Sequence, residues 1–192
     1  MIDARIFRKI NKIEINIIAN SVRKISTKLL PVLDTLNRFL YILINKSPSE
    51  KIFPKIYLIT NEQQKVIKES NITNKIYSAG LYFGFIKKGD FYFSIEASEH
   101  LYKSGIFTDF KLLIIDNGGE KSILYGNNIL KKMVIKHPIN LKKKDFLIVL
   151  NEVHEIIGLG LSHVSSELIL SLKPNDIFAI NVSDKGQYLR AQ

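Results

Sequence analysis

Cysteine is absent from the chain. That absence excludes disulfides, thiolate nucleophiles and the commoner structural zinc sites, and leaves nothing that points to an oxidising compartment. A cytoplasmic location is therefore expected. Apolar runs are short, the longest candidates being pieces such as Phe39–Ile44 and Phe146–Leu150, whereas a membrane-spanning helix needs about 18 to 20 apolar residues. No membrane partner is expected. Arg8, Lys9, Lys12 and Glu14 interrupt the first apolar residues, so a signal peptide with its unbroken apolar stretch is not read there. The phosphate-loop pattern is missing too, and Gly158-Leu-Gly160 lacks the third glycine of a dinucleotide fingerprint. Those two glycines read instead as relief in a tightly bent strand.

What is present is a globular composition with a strong basic excess. Of 192 residues, 46% are hydrophobic and 24% charged, which excludes wholesale disorder. Lys and Arg number 28 against 18 Asp and Glu, a net charge of +10. The sequence pI is about 9.6, and a pI above about 9 flags a polyanion partner. Lys121–Lys144 holds seven lysines, His137 and no carboxylate, whereas residues 150–192 hold three bases and five acids. The second half is electrically polarised. Ordinary solvating lysines remain the alternative reading.

Residues 3–30 place Ile6, Ile10, Ile13, Ile17, Val22, Ile25 and Leu29 at helical spacing, and a second helix is expected from Pro31 along Leu33, Leu36, Leu40 and Ile44 to a turn at Lys46–Glu50. Short strands are expected at Lys55–Ile59, Lys75–Tyr77, Leu81–Ile86 and Phe91–Ile95, with a helix at Asn61–Glu69 and a hairpin turn at Lys87–Asp90. A further helix at Ala97–Ser104, capped by Ser98, stops at Gly105. The remainder reads as strands at Phe110–Ile115, Phe146–Leu150, Ile156–Leu161, Ile177–Val182 and Gln187–Leu189, with one helical turn after Gly119. The expected fold class is α+β: an N-terminal α+β domain over 1–108, then a small β-barrel over 109–192. Leu112, Ile114, Phe146, Ile148, Leu150, Phe178, Ile180, Val182 and Leu189 are expected to face the barrel interior.

Gly119–Leu130, preceded by the strand Lys111–Asp116 and closed by Asp184-Lys-Gly-Gln-Tyr-Leu-Arg190, resembles a PUA domain, a small RNA-binding barrel. Leu124-Tyr-Gly-Asn127, with Ser78-Ala-Gly-Leu-Tyr-Phe-Gly84 and Phe91–Ile95, more narrowly resembles the Nip-type large-ribosomal-subunit biogenesis factors of archaea and eukaryotes, in an archaeal form. The resemblance covers about residues 48–192 and implies a pre-PUA domain followed by a C-terminal PUA barrel. It also implies a non-enzymatic ribosome biogenesis factor acting on pre-rRNA, uridine-rich single strands being one class of ligand, with assembly proteins docking the N-terminal domain. No cofactor, metal or catalytic residue is expected. The residues expected to contact RNA are Lys121, Gly126, Lys131, Lys132, Lys136, Lys142, Lys143, Lys144, Lys173 and Arg190.

Physically, Gly119 can open a helix whose N–H groups face a phosphate, and Gly126 can admit a close approach, although both could be purely conformational. One departure stands out. Val164–Lys173, where the Nip-type factors carry a basic surface, has Lys173 as its only base, so Leu168, Ile169 and Leu170 serve either a protein partner or the core. Two rival readings remain open at this point. One is an RNA-modification enzyme or its targeting subunit, which would need a cofactor pocket in residues 1–105 or a catalytic aspartate there, Asp34 and Asp90 being the interior candidates. The other is a protein-interaction module whose basic charge is incidental.

Overall fold

The computed structural model describes residues 5–45, 53–70, 72–73 and 75–190. The chain divides into two compact units, Met1–Phe107 and Thr108–Gln192. The first is built on a five-stranded antiparallel sheet in sequential order. Its elements are β1 (Arg5–Lys9), α1 (Lys12–Ile25), α2 (Leu29–Leu36), β2 (Leu40–Asn45), β3 (Lys55–Leu58), α3 (Asn61–Ser70), β4 (Leu81–Lys87), β5 (Asp90–Phe93) and α4 (Ile95–Lys103).

Four expectations for this unit are corrected. Residues 5–9 form a strand, paired with β2 along its whole length, where the Ile6–Ile10 spacing suggested a helix. The helix starts at Lys12 because Asn11 and Glu14 form a capping box: the Glu14 N–H donates to Asn11 Oδ1 at 3.0 Å, and Glu14 Oε2 accepts from the Asn11 N–H at 2.8 Å. The buried face of α1 is accordingly Ile18 and Val22, while Ile13 is 70% exposed. Leu40–Asn45 is a strand rather than the end of a helix. Its edges are paired with β1 and β3, and helices cover both faces of the sheet, so its apolar residues run without alternation. Lys75–Tyr77 is turn backbone, with Ile76 packed inward and Tyr77 exposed. The turn expected at Lys46–Glu50 lies outside the described residues.

Ser94, not Ser98, caps α4, its hydroxyl accepting from the Ala97 N–H at 3.0 Å. Helices flank both faces of the sheet. Val22, Leu29 and Leu33 of α1 and α2 meet Phe83, Phe93 and Leu101, while Ile67 of α3 joins Phe7, Tyr41, Tyr57, Ile59 and Ile76.

The second unit is a six-stranded sheet curled into a nearly closed barrel. It comprises β6 (Lys111–Ile115), α5 (Asn117–Leu124), β7 (Ile129–Leu130), β8 (Val134–Lys136), β9 (Phe146–Leu150), β10 (Ile156–Ser162), β11 (Ile177–Asp184) and α6 (Gln187–Arg190). The order is β7-β11-β10-β9-β6-β8. The two edge strands, β7 and β8, are joined by one 3-10 turn, Lys131–Met133, so the chain itself bridges the seam. β10 carries register shifts at 156/158 and 159/160. A Cβ on Gly158 would lie 2.9 Å from the Ser183 carbonyl oxygen, so glycine is needed where the strand bends.

The barrel core is Leu113, Ile115, Ile123, Ile129, Leu141, Leu147, Val149, Ile157, Val164, Ile169, Phe178 and Ala179. Of the residues expected inside, Phe178 is in that core and Ile148 and Leu150 are buried, but Leu112, Ile114, Phe146 and Ile180 are half-buried and Val182 is 38% exposed. On β6 and β9 the expected face was off by one residue: Leu113, Ile115, Leu147 and Val149 form the barrel core, while Ile148 and Leu150, paired with Leu112 and Ile114, are buried on the other face. Gln187–Arg190 is a helical turn rather than a strand, and the burial of Leu189 lies outside the described residues.

Candidate nucleic-acid interface

The expected lysines fall into two groups. β6 and β9 run parallel, β10 runs back and β11 forward again, so the barrel has an end carrying α5, the 151–155 turn and residues 184–190, and an opposite end carrying the 139–145 and 162–176 segments. Backbone hydrogen bonds tie the second end together: Lys131 N–H to Asp176 O and Lys132 N–H to Pro174 O, both at 2.9 Å, Lys144 N–H to Ser162 O at 2.7 Å, and Ser166 N–H to Leu141 O at 2.8 Å. Lys131, Lys132 and Lys173 therefore meet at one turn, and Lys142, Lys143 and Lys144 project from the neighbouring loop. All but Lys131 are exposed. Lys131 is half-buried, its Nζ 5.8 Å from the Phe178 ring, and the His137 ring lies 5.7 Å from the same ring.

Two aspartates at this end are turned onto the backbone. Asp145 Oδ2 accepts the Lys142 N–H at 2.5 Å and also takes the Lys111 ammonium, which in turn donates to Asn140 O at 2.7 Å. Asp176 Oδ2 accepts the Lys173 N–H at 2.8 Å. Each carboxylate fixes a tight turn that splays lysines outward, and Lys144 takes φ 70° to complete one of them. Lys136 lies on β8 opposite Ile114 and is exposed.

Lys121, Gly126 and Arg190 belong to the other end. Arg190 is held by the protein: Nη1 and Nη2 donate to the two oxygens of Asp184 at 3.0 and 2.9 Å, and Nη1 also donates to the Leu124 carbonyl at the end of α5. The carboxylate raises the guanidinium pKa above its ordinary value. Gly126 has φ 88°, and a Cβ there would lie 3.2 Å from the Arg190 guanidinium, so the close approach it permits is to Arg190. Tyr125 beside it is 77% exposed.

The N-terminus of α5 does not present a free Gly119 N–H. Asp116 caps it, Oδ1 accepting from Gly119 at 2.6 Å. Gly119 serves packing instead, since a Cβ would fall 2.8 Å from Met133 Cβ. In the Val164–Lys173 segment the alternatives separate residue by residue: Ile169 is buried at 4%, whereas Leu168 and Leu170 are 55% and 98% exposed.

No group of three or more His, Asp or Glu among the described residues is placed to hold a metal. No described helix is long and apolar enough to cross a membrane. Asp90 is paired with Lys24 at 2.6 Å, and Asp34 is exposed on α2. Sequence reasoning passed over Lys111, whose role depends on Asp145, a partner 34 residues away.

Comparison with known proteins shows what the chain is similar to. Residues 111–192 match the family model described as the UPF0113 PUA domain. A UPF0113 protein of Archaeoglobus fulgidus is 26% identical over 152 residues, covering 79% of this chain and 80% of that protein. The 60S ribosome subunit biogenesis protein nip7 of Schizosaccharomyces pombe is 26% identical over 137 residues, covering 71% and 73%. Among solved structures, a hypothetical protein of Pyrococcus horikoshii superposes with TM-score 0.63 at 13% identity over 93% of this chain and 94% of its own. A PUA domain protein of Aeropyrum pernix gives TM-score 0.60 at 14% identity over 96% and 89%. Those two likenesses carry the fold, α+β with a PUA-type barrel. Residues 111–192 are thus similar to the UPF0113 PUA domain, in a chain that resembles the Nip-type ribosome biogenesis factors.

Proposed function

We propose that the protein is a non-enzymatic, RNA-binding ribosome biogenesis factor that engages pre-rRNA of the large subunit through backbone phosphates. The observation that carries the reading is the meeting of Lys131, Lys132 and Lys173 at one turn, with Lys142–Lys144 on a loop bonded to the same 162–176 segment, both on turns whose aspartates face the backbone. Lysine is a flexible point charge without the bidentate fork of arginine, so phosphate neutralisation supplies affinity and base discrimination is modest. Lys121, Lys136 and Arg190 are secondary contacts, Arg190 through the face of its guanidinium left by Asp184, whereas Gly126 is taken up by Arg190 and supplies no contact of its own. The relatives named as ribosome biogenesis proteins support the cellular role.

An assembly protein is the expected partner of the N-terminal unit. A cleft of about 440 Å³ there, lined by Leu36, Phe39, Leu58, Thr60, Gln63 and His100, supports that part of the reading. Electrophoretic mobility shift with a uridine-rich single strand at low salt tests the RNA part, and no detectable complex would overturn it.

A further inference from the structure

The N-terminal sheet carries a second surface suited to RNA, with a different chemistry. The α3 side of the sheet is closed by Phe7, Tyr41, Tyr57 and Ile67. Following the register two residues further along the same face leads from Phe7 to Arg5 and from Tyr57 to Lys55. Across the β4 irregularity Lys55 stands opposite Phe85, and Phe85 opposite Tyr92.

The rings form a row. Phe85 and Tyr92 stack at 5.2 Å and 15°, and Phe53 stacks on Phe85 at 5.9 Å and 30°. Cross-strand pairing explains the Phe85–Tyr92 contact as sheet stabilisation. It does not explain Tyr77, which is outside the sheet, 66% exposed, and covered by the Arg5 guanidinium at 3.6 Å.

Each part of this surface pairs a ring with a cation: Arg5 on Tyr77, Lys87 Nζ 4.9 Å from Phe53, Lys55 opposite Phe85. β1, β3 and β4 contain no Asp or Glu, and Asp90 of β5 is paired with Lys24. The hollow between Arg5, Leu43, Asn45, Lys55 and Tyr77 is about 130 Å³. That is below the roughly 300–1,000 Å³ of an ordinary small-molecule pocket. A shallow surface that joins cations to rings, with no acid among the described residues lining the hollow, matches a polymer with flat rings and an anionic backbone.

We infer that this face of the N-terminal sheet is a second single-stranded RNA site, on which bases stack against Tyr77 and the Phe53–Phe85–Tyr92 row while Arg5, Lys55 and Lys87 take phosphates. It stands apart from the lysine site of the barrel, because it reads base rings where the barrel reads phosphates alone.

The test measures binding of the full chain to two probes of equal length: an oligouridylate and an abasic ribose-phosphate oligomer. Wild type is expected to prefer the base-bearing probe by about fivefold or more, the effect of one stacked base. The double variant Tyr77→Ala, Phe53→Ala is expected to lose that preference while binding the abasic probe as before. The barrel variant Lys131→Ala, Lys132→Ala, Lys173→Ala should weaken both probes and keep the preference, so failure of either site is seen separately. Equal binding of both probes by wild type overturns the inference, and so does a preference that survives in the double variant, which would leave the face to a protein partner. Photo-crosslinking of a bromouridine oligomer to wild type serves where the double variant fails to fold. Adducts within residues 53–92 support the site; adducts confined to residues 108–192 overturn it.

Discussion

Replacing Lys131, Lys132 and Lys173 by alanine probes the barrel interface most directly, because backbone bonds to Asp176 and Pro174 bring these three side chains to one turn. If these lysines and Lys142, Lys143 and Lys144 each neutralise one phosphate of a single strand, the logarithm of affinity falls with the logarithm of salt with a slope of about −4, at about 0.7 per phosphate. Raising salt from about 50 to about 200 mM should then weaken wild type about 300-fold. The triple variant retains three contacts, a slope of about −2, and a loss of only about 20-fold over the same range. Fluorescence anisotropy of a labelled oligouridylate, titrated at four or five salt concentrations, reads both slopes. The control is Lys65→Ala, Lys68→Ala on α3, where Lys65 is 3.9 Å from Glu69 and little change is expected. An unchanged slope in the barrel variant, or a flattened one in the α3 variant, would refute the assignment of phosphate binding to this end of the barrel.

Four further outcomes follow from packing and capping. Leu170→Asp should leave urea stability within about 0.5 kcal/mol of wild type, since the side chain is 98% exposed, whereas Ile169→Ala next to it should cost about 2–5 kcal/mol. Asp116→Ala removes the cap on Gly119 N–H and should cost about 1 kcal/mol by the same measurement. Gly84→Ala should destabilise the N-terminal unit, as φ is 151° and the new Cβ would lie 2.1 Å from the Tyr92 carbonyl oxygen; a circular dichroism melt matching wild type would contradict this. Burial pushes the Tyr41 and Tyr57 phenols above their ordinary value of 10.0, so the folded state favours the neutral form. The stability this supplies is complete below that value and is lost as pH rises through the raised one, so alkaline unfolding should coincide with the rise of phenolate absorbance.

How far the fold could be read from sequence depended on whether local pattern or long-range pairing decides each element. The β4–β5 hairpin was legible from its Gly89-Asp90 pair, and in the structure the two-residue turn falls on Lys88 and Gly89, at φ 51° and 82°. β1 was not. Its five residues fit helical spacing equally well, and only pairing with β2, whose residues lie more than 30 positions away, decides the matter. The capping box at Asn11 and Glu14 was the local signal that could have placed the helix start. β7 and β8, with two and three residues, are too short for periodicity to register and exist because they close a barrel seam.

The candidate interface shows the same division more sharply. Charge density along the chain singled out Lys121–Lys144, yet the fold sends Lys121 to one end of the barrel and Lys142–Lys144 to the other, and brings Lys173 from a segment otherwise without bases to join Lys131 and Lys132. Sequence proximity therefore overstated one patch and understated another. The acids mattered as much. Asp145 and Asp176 diminish the net charge when counted along the chain, but in the fold their carboxylates accept backbone N–H groups and, for Asp145, the Lys111 ammonium. The two groups that would have been read as diluting the basic surface are the ones that shape its turns. Removing the Asp145 carboxylate should consequently loosen the loop that presents Lys142–Lys144, so that Asp145→Ala, although it adds net positive charge, binds oligouridylate no more tightly than wild type. A gain in affinity would mean that charge count alone governs this surface and that the loop geometry contributes nothing.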